Sequence, residues 1–350
     1  MSSDQGLIFV DAYSGLGDAI LVAPVLMALQ RQVSERLAFP ANPALDLLQE
    51  FDVGSLREIT PVPATLRRFF DSSVAEVART FATLKITQVL NLRRDRVRFG
   101  ERYLSFAAEL ADRGIPVHDV GERYSPQDQL SMHTVDLWRG FLAGLGYEVP
   151  MPNPGWLRWA LPDLPSGPDR DTVACYLGAG QPTKRPRPAF WVDVVREIVE
   201  RGRRRVVLIP GATAEERADT DVVVRSLRRA GVDHEVLRPS SLAELTVAVA
   251  GMPLVISPDT YMIHLTRALA VPVIGVYCST DPVVYGPYGD SRAAVRSPYY
   301  RRCGYRNDLG NCDGWDVGCI ATPCKDELTA TEVVDLALSS LALGFTGSRR

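Results

Sequence analysis

The chain reads as an α/β protein: two doubly wound, Rossmann-like domains facing each other across a cleft. Three observations predict this. Its 350 residues exceed the usual size of a single domain. Short apolar runs alternate with segments of helical period, the pattern of a parallel sheet covered by helices on both faces. A proline-rich stretch near the middle stops that alternation, after which it begins again.

The first apolar run, GLIFVDAY, ends in the glycine turn SGLGD, and the following AILVAPVLMALQRQ places Ile20, Leu21, Val25 and Leu29 at helical spacing. This is a βα unit. RLAFPAN and QVLNL read as further strands, SVAEVARTFATLK and DLWRGFLAGLG as helices, completing a domain over residues 1–149. Residues 150–170 hold six prolines, which exclude a regular helix or central strand and predict a linker. In residues 171–328 the alternation restarts with strand TVACYLG, helix AFWVDVVREIVERG, strand RVVLIPG and the helices EERADTDVVVRSLRRAG and LAELTVAVAG. ISPDTYMIHLTRALAVPVIGVY then reads as strand, tight turn, three-turn helix and strand. A last helix, TATEVVDLALSSLAL, lies in residues 329–350.

Composition excludes several function classes. A net charge of −3 gives no overall attraction to nucleic acid or acidic membranes. No apolar run reaches membrane-spanning length, and MSSDQGLIFVDAY lacks the features of a signal peptide, so the expected compartment is the cytoplasm. There the six cysteines are expected as thiols or metal ligands.

Several motifs carry chemistry. In SGLGD, Gly15 and Gly17 form a GxG, but Ile20 holds the third glycine position and no acidic residue closes RLAFP, which argues against a dinucleotide site. Asp18 is either a first-turn carboxylate favoured by the helix dipole or a general base. Ser257, Asp259 and Thr260 have two readings: N-caps for the next helix, or the rim of an anion site formed by its first N–H groups. Arg93, Arg94, Arg96 and Arg98, after the strand QVLNL, read either as a solvated basic face or as a grip on an acidic ligand. Cys303, Cys312, Cys319 and Cys324, with eight, six and four residues between them, can surround one tetrahedral metal or remain thiols or disulfides. The D-x-D pairs Asp169/Asp171 and Asp219/Asp221 fall in the linker and inside a helix, away from strand ends. His118, His133 and His234 have no partners at ligand spacing.

Taken together, SGLGDAILVAP, GAGQPTKRP, GATAEER and SPDTYMIHLTRALAVPVIGVYCSTDP resemble the ADP-heptose heptosyltransferases, glycosyltransferase family nine. The resemblance implies the glycosyltransferase-B fold: an acceptor domain, a nucleotide-sugar domain and a final helix crossing back to the first. It implies Asp18 as catalytic base, with Gly15, Gly17 and the four arginines on the acceptor side. It implies Lys184 on the sugar-nucleotide phosphates, Glu215 on the ribose, and Asp259, Thr260, Tyr261, Met262 and His264 around the diphosphate. Tyr261 stands where the family usually has glycine, and CSTDP where it usually has G-P-T-D-P.

The implied activity is inverting, metal-independent transfer of a heptose-like sugar from an ADP-sugar to a hydroxyl acceptor, with domain closure excluding water. A sugar-nucleotide epimerase or hydrolase of the same fold, and a non-catalytic sugar-nucleotide-binding protein, are the alternatives. A related branch, the autotransporter heptosyltransferases, carries a four-cysteine iron finger, so the cysteine loop is expected to hold a structural Zn or Fe.

Overall fold

Alternating β-branched runs and amphipathic helices fold into two compact units, Met1–Pro152 and Asn153–Arg350. The computed structural model of the chain describes residues 6–12, 15–66, 69–161, 171–290, 292–303, 319 and 322–342, without the side chains of 95–98.

In the first unit the elements run β1 (Leu7–Asp11), α1 (Leu16–Gln30), β2 (Arg36–Pro40), α2 (Pro43–Glu50), β3 (Thr60–Val62), α3 (Val74–Thr83), β4 (Ile86–Asn91), α4 (Asp95–Asp112), β5 (Val117–Asp119), α5 (Pro126–Ser131) and α6 (Thr134–Gly144). Its five strands are parallel in the order β3-β2-β1-β4-β5, so the chain reverses direction across the sheet between β1 and β4. Such a switch point leaves a crevice at the carboxyl ends of the two strands. In α1, Ile20, Val25 and Leu29 are buried and Leu21 is half-buried. Phe9, Phe69, Phe81 and Phe106 pack edge-on or tilted in the core beneath. Trp138 on α6 is fully buried and donates its indole N–H to the Leu92 carbonyl just past β4 at 2.7 Å.

The second unit contains β6 (Thr172–Tyr176), α7 (Pro188–Gly202), β7 (Arg205–Ile209), α8 (Ala214–Arg229), β8 (Glu235–Val236), α9 (Leu242–Ala250), β9 (Val255–Pro258), α10 (Tyr261–Ala268), β10 (Val273–Tyr277), α11 (Pro282–Tyr285), β11 (Ala294–Arg296), α12 (Pro323–Asp326) and α13 (Ala330–Ala342). The sheet is again parallel, β11-β10-β9-β6-β7-β8, with its switch point between β6 and β9. Strand β6 is buried throughout, as expected of a central strand covered on both faces.

Some expectations change. Residues 153–161, read as part of a linker, fold onto the second unit: Leu157 is fully buried, and the Gly155 and Leu157 N–H groups donate to the carbonyls of Arg267 and Ala268. Prolines exclude regular elements but not ordered turns. Helix α10 has eight residues, little more than two turns, because Ala270 takes φ +55° and Val271 turns back to bond Thr266. The NLRRDRVRFG segment enters α4, a long helix interrupted at Gly100, where φ is +51°. Over its described length α13 packs on α7, with Leu338 against Gly202 and Thr331 bonded to Glu197; residues 343–350 lie outside the described residues. Among the described residues no helix is long and apolar enough to cross a membrane.

Trp138→Ala is expected to cost about 3–5 kcal/mol, since it leaves a large cavity and an unpaired Leu92 carbonyl. Urea unfolding of the full chain checks it.

Candidate sugar-nucleotide site

The carboxyl ends of β6 and β9 meet at the switch point of the second sheet, and the turns that follow them supply the site. After β6 the chain runs through Gly178 and Gly180 to Lys184; after β9 it reaches Asp259 and then α10. Lys184 Nζ lies 2.8 Å from Asp259 Oδ2. The hydroxyl of Thr280, just past β10, donates to the same oxygen at 2.6 Å, and the Asp259 N–H donates to the Val276 carbonyl at 3.1 Å. Asp259 is only 4% exposed. A carboxylate so buried needs this compensation, and the pairing ties together the turns after three neighbouring strands.

The capping reading of this turn fails. Thr260 is the N-cap residue of α10, yet no side chain among the described residues caps the helix. Ser257 instead donates its hydroxyl to the Pro258 carbonyl at 2.9 Å, and Asp259 is engaged by Lys184 and Thr280. Thr260, Tyr261 and Met262 therefore form a helix start whose donors are satisfied by no cap, the arrangement that favours an anion. His264 is half-buried one turn into the helix.

Tyr261 turns into the unit, where its ring meets Tyr176 edge-on at 5.7 Å. Burial and the nearby Glu216 raise the Tyr261 pKa, opposed by a hydrogen bond received from Tyr176; burial is also the main cause of the rise at Tyr176. Glu216 accepts from the Thr213 N–H at 2.8 Å and closes the capping box of α8. Glycine is required nearby: a Cβ at Gly178 would lie 2.5 Å from Gly211 Cα, and one at Gly211 would lie 2.5 Å from Glu216 Cδ.

Glu215 is largely exposed, but its carboxylate binds Arg185 at 2.9 Å, and Arg185 also reaches Asp219 at 3.1 Å. Arg185 is buried and was not singled out in the sequence, because its partners lie on α8, far along the chain. The T-D-P segment has a clear division of labour. Thr280 holds Asp259; Asp281 caps α11 and pairs with Arg296 at 3.0 Å; Pro282 begins the helix.

In the first unit, Asp18 sits in the first turn of α1, and its Oδ2 accepts from the Gly15 N–H at 3.0 Å. Gly15 has ordinary φ, so its requirement is steric: a Cβ there would lie 2.9 Å from Asp18 Oδ2. Gly17 is half-buried beside it. The solvated-face reading is corrected for two of the arginines. Arg93 is buried, 3.8 Å from the fully buried Asp11, and Arg94 is buried with a 3.4 Å bond to Thr134. Asp11, at the end of β1, has no sequence signal apart from its place on an apolar strand. Arg96 and Arg98 lie in the first turns of α4, with side chains outside the described residues.

Of the four loop cysteines, Cys303 and Cys319 are half-buried, Cys324 is buried in the core, and Cys312 lies outside the described residues. Cys324 shares the core cluster with Cys278, whose thiol pKa is raised chiefly by burial. Among the described residues no three His, Cys, Asp or Glu side chains form a group able to hold a metal ion, so Cys303, Cys319 and Cys324 do not by themselves make a metal set. Of the D-x-D residues, Asp171 pairs with Arg204, Asp219 with Arg185 and Asp221 with Arg238; Asp169 lies outside the described residues. His133 caps α6, and His118 and His234 make local contacts.

Lys184→Met leaves a buried Asp259 charge, whereas Asp259→Asn leaves a lysine that can reach water. Lys184→Met should therefore destabilise more, and a double-mutant cycle by chemical denaturation should give a coupling of roughly 1–3 kcal/mol.

Comparison with known proteins fits this geometry. Residues 155–309 match the model of glycosyltransferase family 9 (heptosyltransferase). The chain is 31% identical over 170 residues to lipopolysaccharide heptosyltransferase 1 of Escherichia coli K12, covering 47% of this chain and 51% of that one. It thus spans about half the length of the curated relatives it matches. Two solved structures of E. coli heptosyltransferase WaaC, with ADP and with ADP-2-deoxy-2-fluoro heptose, superpose with TM-scores of 0.60 and 0.59 at 20% and 19% identity, each covering 95% of this chain and 99% of that one. The iron-containing dodecameric glycosyltransferase TibC of enterotoxigenic E. coli gives 0.56 at 12% identity, covering 97% of this chain and 77% of its own. These likenesses establish the fold. Through residues 155–309, which contain the Lys184–Asp259–Thr280 constellation, the chain is similar to glycosyltransferase family 9, the heptosyltransferases.

Proposed function

We propose that the protein is an inverting glycosyltransferase that moves a heptose-like sugar from an ADP-sugar to a hydroxyl acceptor. The observation that carries this is the Lys184–Asp259–Thr280 knot at the switch point, beside an uncapped helix start and inside the family match. The ADP and ADP-sugar analogue bound to WaaC support the choice of nucleotide.

Asp18 takes the proton of the acceptor hydroxyl as its oxygen attacks the anomeric carbon from the face opposite the leaving diphosphate. The bond between that carbon and the diphosphate oxygen breaks, and Lys184 with the first N–H groups of α10 stabilises the departing ADP. Glu215 contacts the ribose, and Met262 and His264 complete the pocket wall. A lysine and a helix start can supply this stabilisation without a catalytic metal. On the acceptor side the reading keeps Gly15, Gly17, Arg96 and Arg98 as contacts, with Arg93 and Arg94 supporting the turn from within. The reading keeps a cytoplasmic setting, supported by the buried thiols of Cys175 and Cys278, which form no disulfide.

Calorimetry with ADP-heptose, ADP, UDP-glucose and GDP-mannose tests the nucleotide site. Selective binding of the adenine nucleotides, weakened roughly tenfold or more in Lys184→Ala, is expected; preference for another nucleotide would overturn the assignment. Asp18→Asn should abolish turnover and leave ADP-heptose affinity within about twofold. Turnover of ADP-heptose without an acceptor would instead identify a hydrolase or epimerase.

The proposal extends to a structural Zn or Fe on Cys303, Cys312, Cys319 and Cys324, supported by the close spacing of these four cysteines in the sequence. Metal analysis should find about one ion per chain, lost in Cys303→Ser; a metal-free, fully active protein would refute it.

A further inference from the structure

Lys184 and Arg185 are consecutive in the turn after β6, yet their side chains meet acids on different elements. Lys184 goes to Asp259, after β9, at 2.8 Å. Arg185 goes to α8: one guanidinium nitrogen lies 2.9 Å from Glu215 Oε2 and another 3.1 Å from Asp219 Oδ2. The two acids stand one helical turn apart and so share a face of α8. A planar guanidinium fork holds both at once, which the point charge of a lysine would not.

Burial within this triad is uneven. Side-chain exposure is 6% for Arg185 against 70% for Glu215 and 43% for Asp219, so a buried cation reaches outward to two exposed acids. Arg185 is itself anchored: its N–H donates to the Pro182 carbonyl at 3.2 Å, and the preceding Lys184 is tied to Asp259. An unheld glutamate in the first turn of α8 would sample many rotamers, and ordering it on a ligand would cost affinity. Arg185 orders it in advance through one oxygen. Two carboxylates against one guanidinium leave the triad net negative, which suits hydroxyl donors and disfavours phosphate.

We infer that Arg185 is a positioning residue that holds Glu215 ready for the ribose hydroxyls, so that the site selects a ribonucleotide over its deoxy counterpart. This rests on the reading of Glu215 given above. Arg185 acts through Glu215 and not on the ligand, and Asp219 keeps the other arm of the fork from swinging. The order of the parts agrees: the adjacent residues Lys184 and Arg185 serve adjacent parts of the ligand, the diphosphate and the ribose joined to it.

The test is calorimetry of the full chain with ADP and with dideoxy-ADP, which lacks both ribose hydroxyls, on wild type, Glu215→Ala, Arg185→Met, Asp219→Asn and the Arg185→Met/Glu215→Ala double variant. Wild type should prefer ADP by about tenfold or more, as hydroxyls bonded to a carboxylate allow. Arg185→Met should cut that preference to within about threefold and leave dideoxy-ADP within about twofold of wild type. Added to Glu215→Ala it should change neither ligand further, because the two residues act as one unit. Asp219→Asn, an exposed change that frees one arm of the fork, should lower the preference by roughly threefold and keeps the test open if Arg185→Met does not fold. Full preference retained in whichever of these two variants folds overturns this inference alone. An equal loss of both ligands also overturns it, marking Arg185 as a staple between the turn and α8. A wild type without preference, or full preference retained in Glu215→Ala, would overturn the ribose reading and this inference with it.

Discussion

The second unit depends on a single buried acid. Asp259 draws Lys184 from the turn after β6 and Thr280 from the turn after β10 onto one carboxylate oxygen. Desolvating that charge is costly unless both donors arrive, so the three turns hold one another in place. The same acid is withdrawn from capping α10 by this engagement. A residue type that usually ends a strand and starts a helix instead leaves the helix start open, with its first donors uncapped.

Around this knot, glycine serves close approach more than backbone freedom. Gly178 and Gly211 bring the turns after β6 and β7 together over Glu216, leaving no room for a Cβ. Gly15 does the same for the Asp18 carboxylate in the first unit. Each glycine places an acid against backbone, in a turn just beyond the end of a parallel strand, where a doubly wound sheet opens to ligands. The cations follow a similar economy. Arg185 and Arg187 are matched by Glu215, Asp219 and Asp326, which ties the turn after β6 to α8 and α12.

Much of the fold was legible along the chain. Every strand and helix singled out by periodicity has a counterpart, since burial on one face or both writes itself into local sequence. What escaped were mostly short pieces, such as α2, β3, β5, β8 and β11, which carry too few residues to show a period; the long α4 escaped as well, its arginine-rich start and the break at Gly100 obscuring its pattern. The order of residues 153–161 was hidden because prolines mark irregular backbone without saying whether it packs. For Arg93 and Arg94 the sequence left a solvated face and a ligand grip both open, because their burial shows only once Asp11 and Thr134 are brought beside them.

By itself, then, the sequence determined the two α/β units, the glycine turns, and Asp18, Lys184 and Asp259 as candidate site residues, because these depend on local pattern and on motif. Tertiary structure alone decided which charges are matched. Lys184 meets Asp259, Arg185 meets Asp219 and Arg187 meets Asp326 across long stretches of chain. Only the folding of the sheet sets those distances, and with them which side chains are neutralised and which retain charge for a ligand.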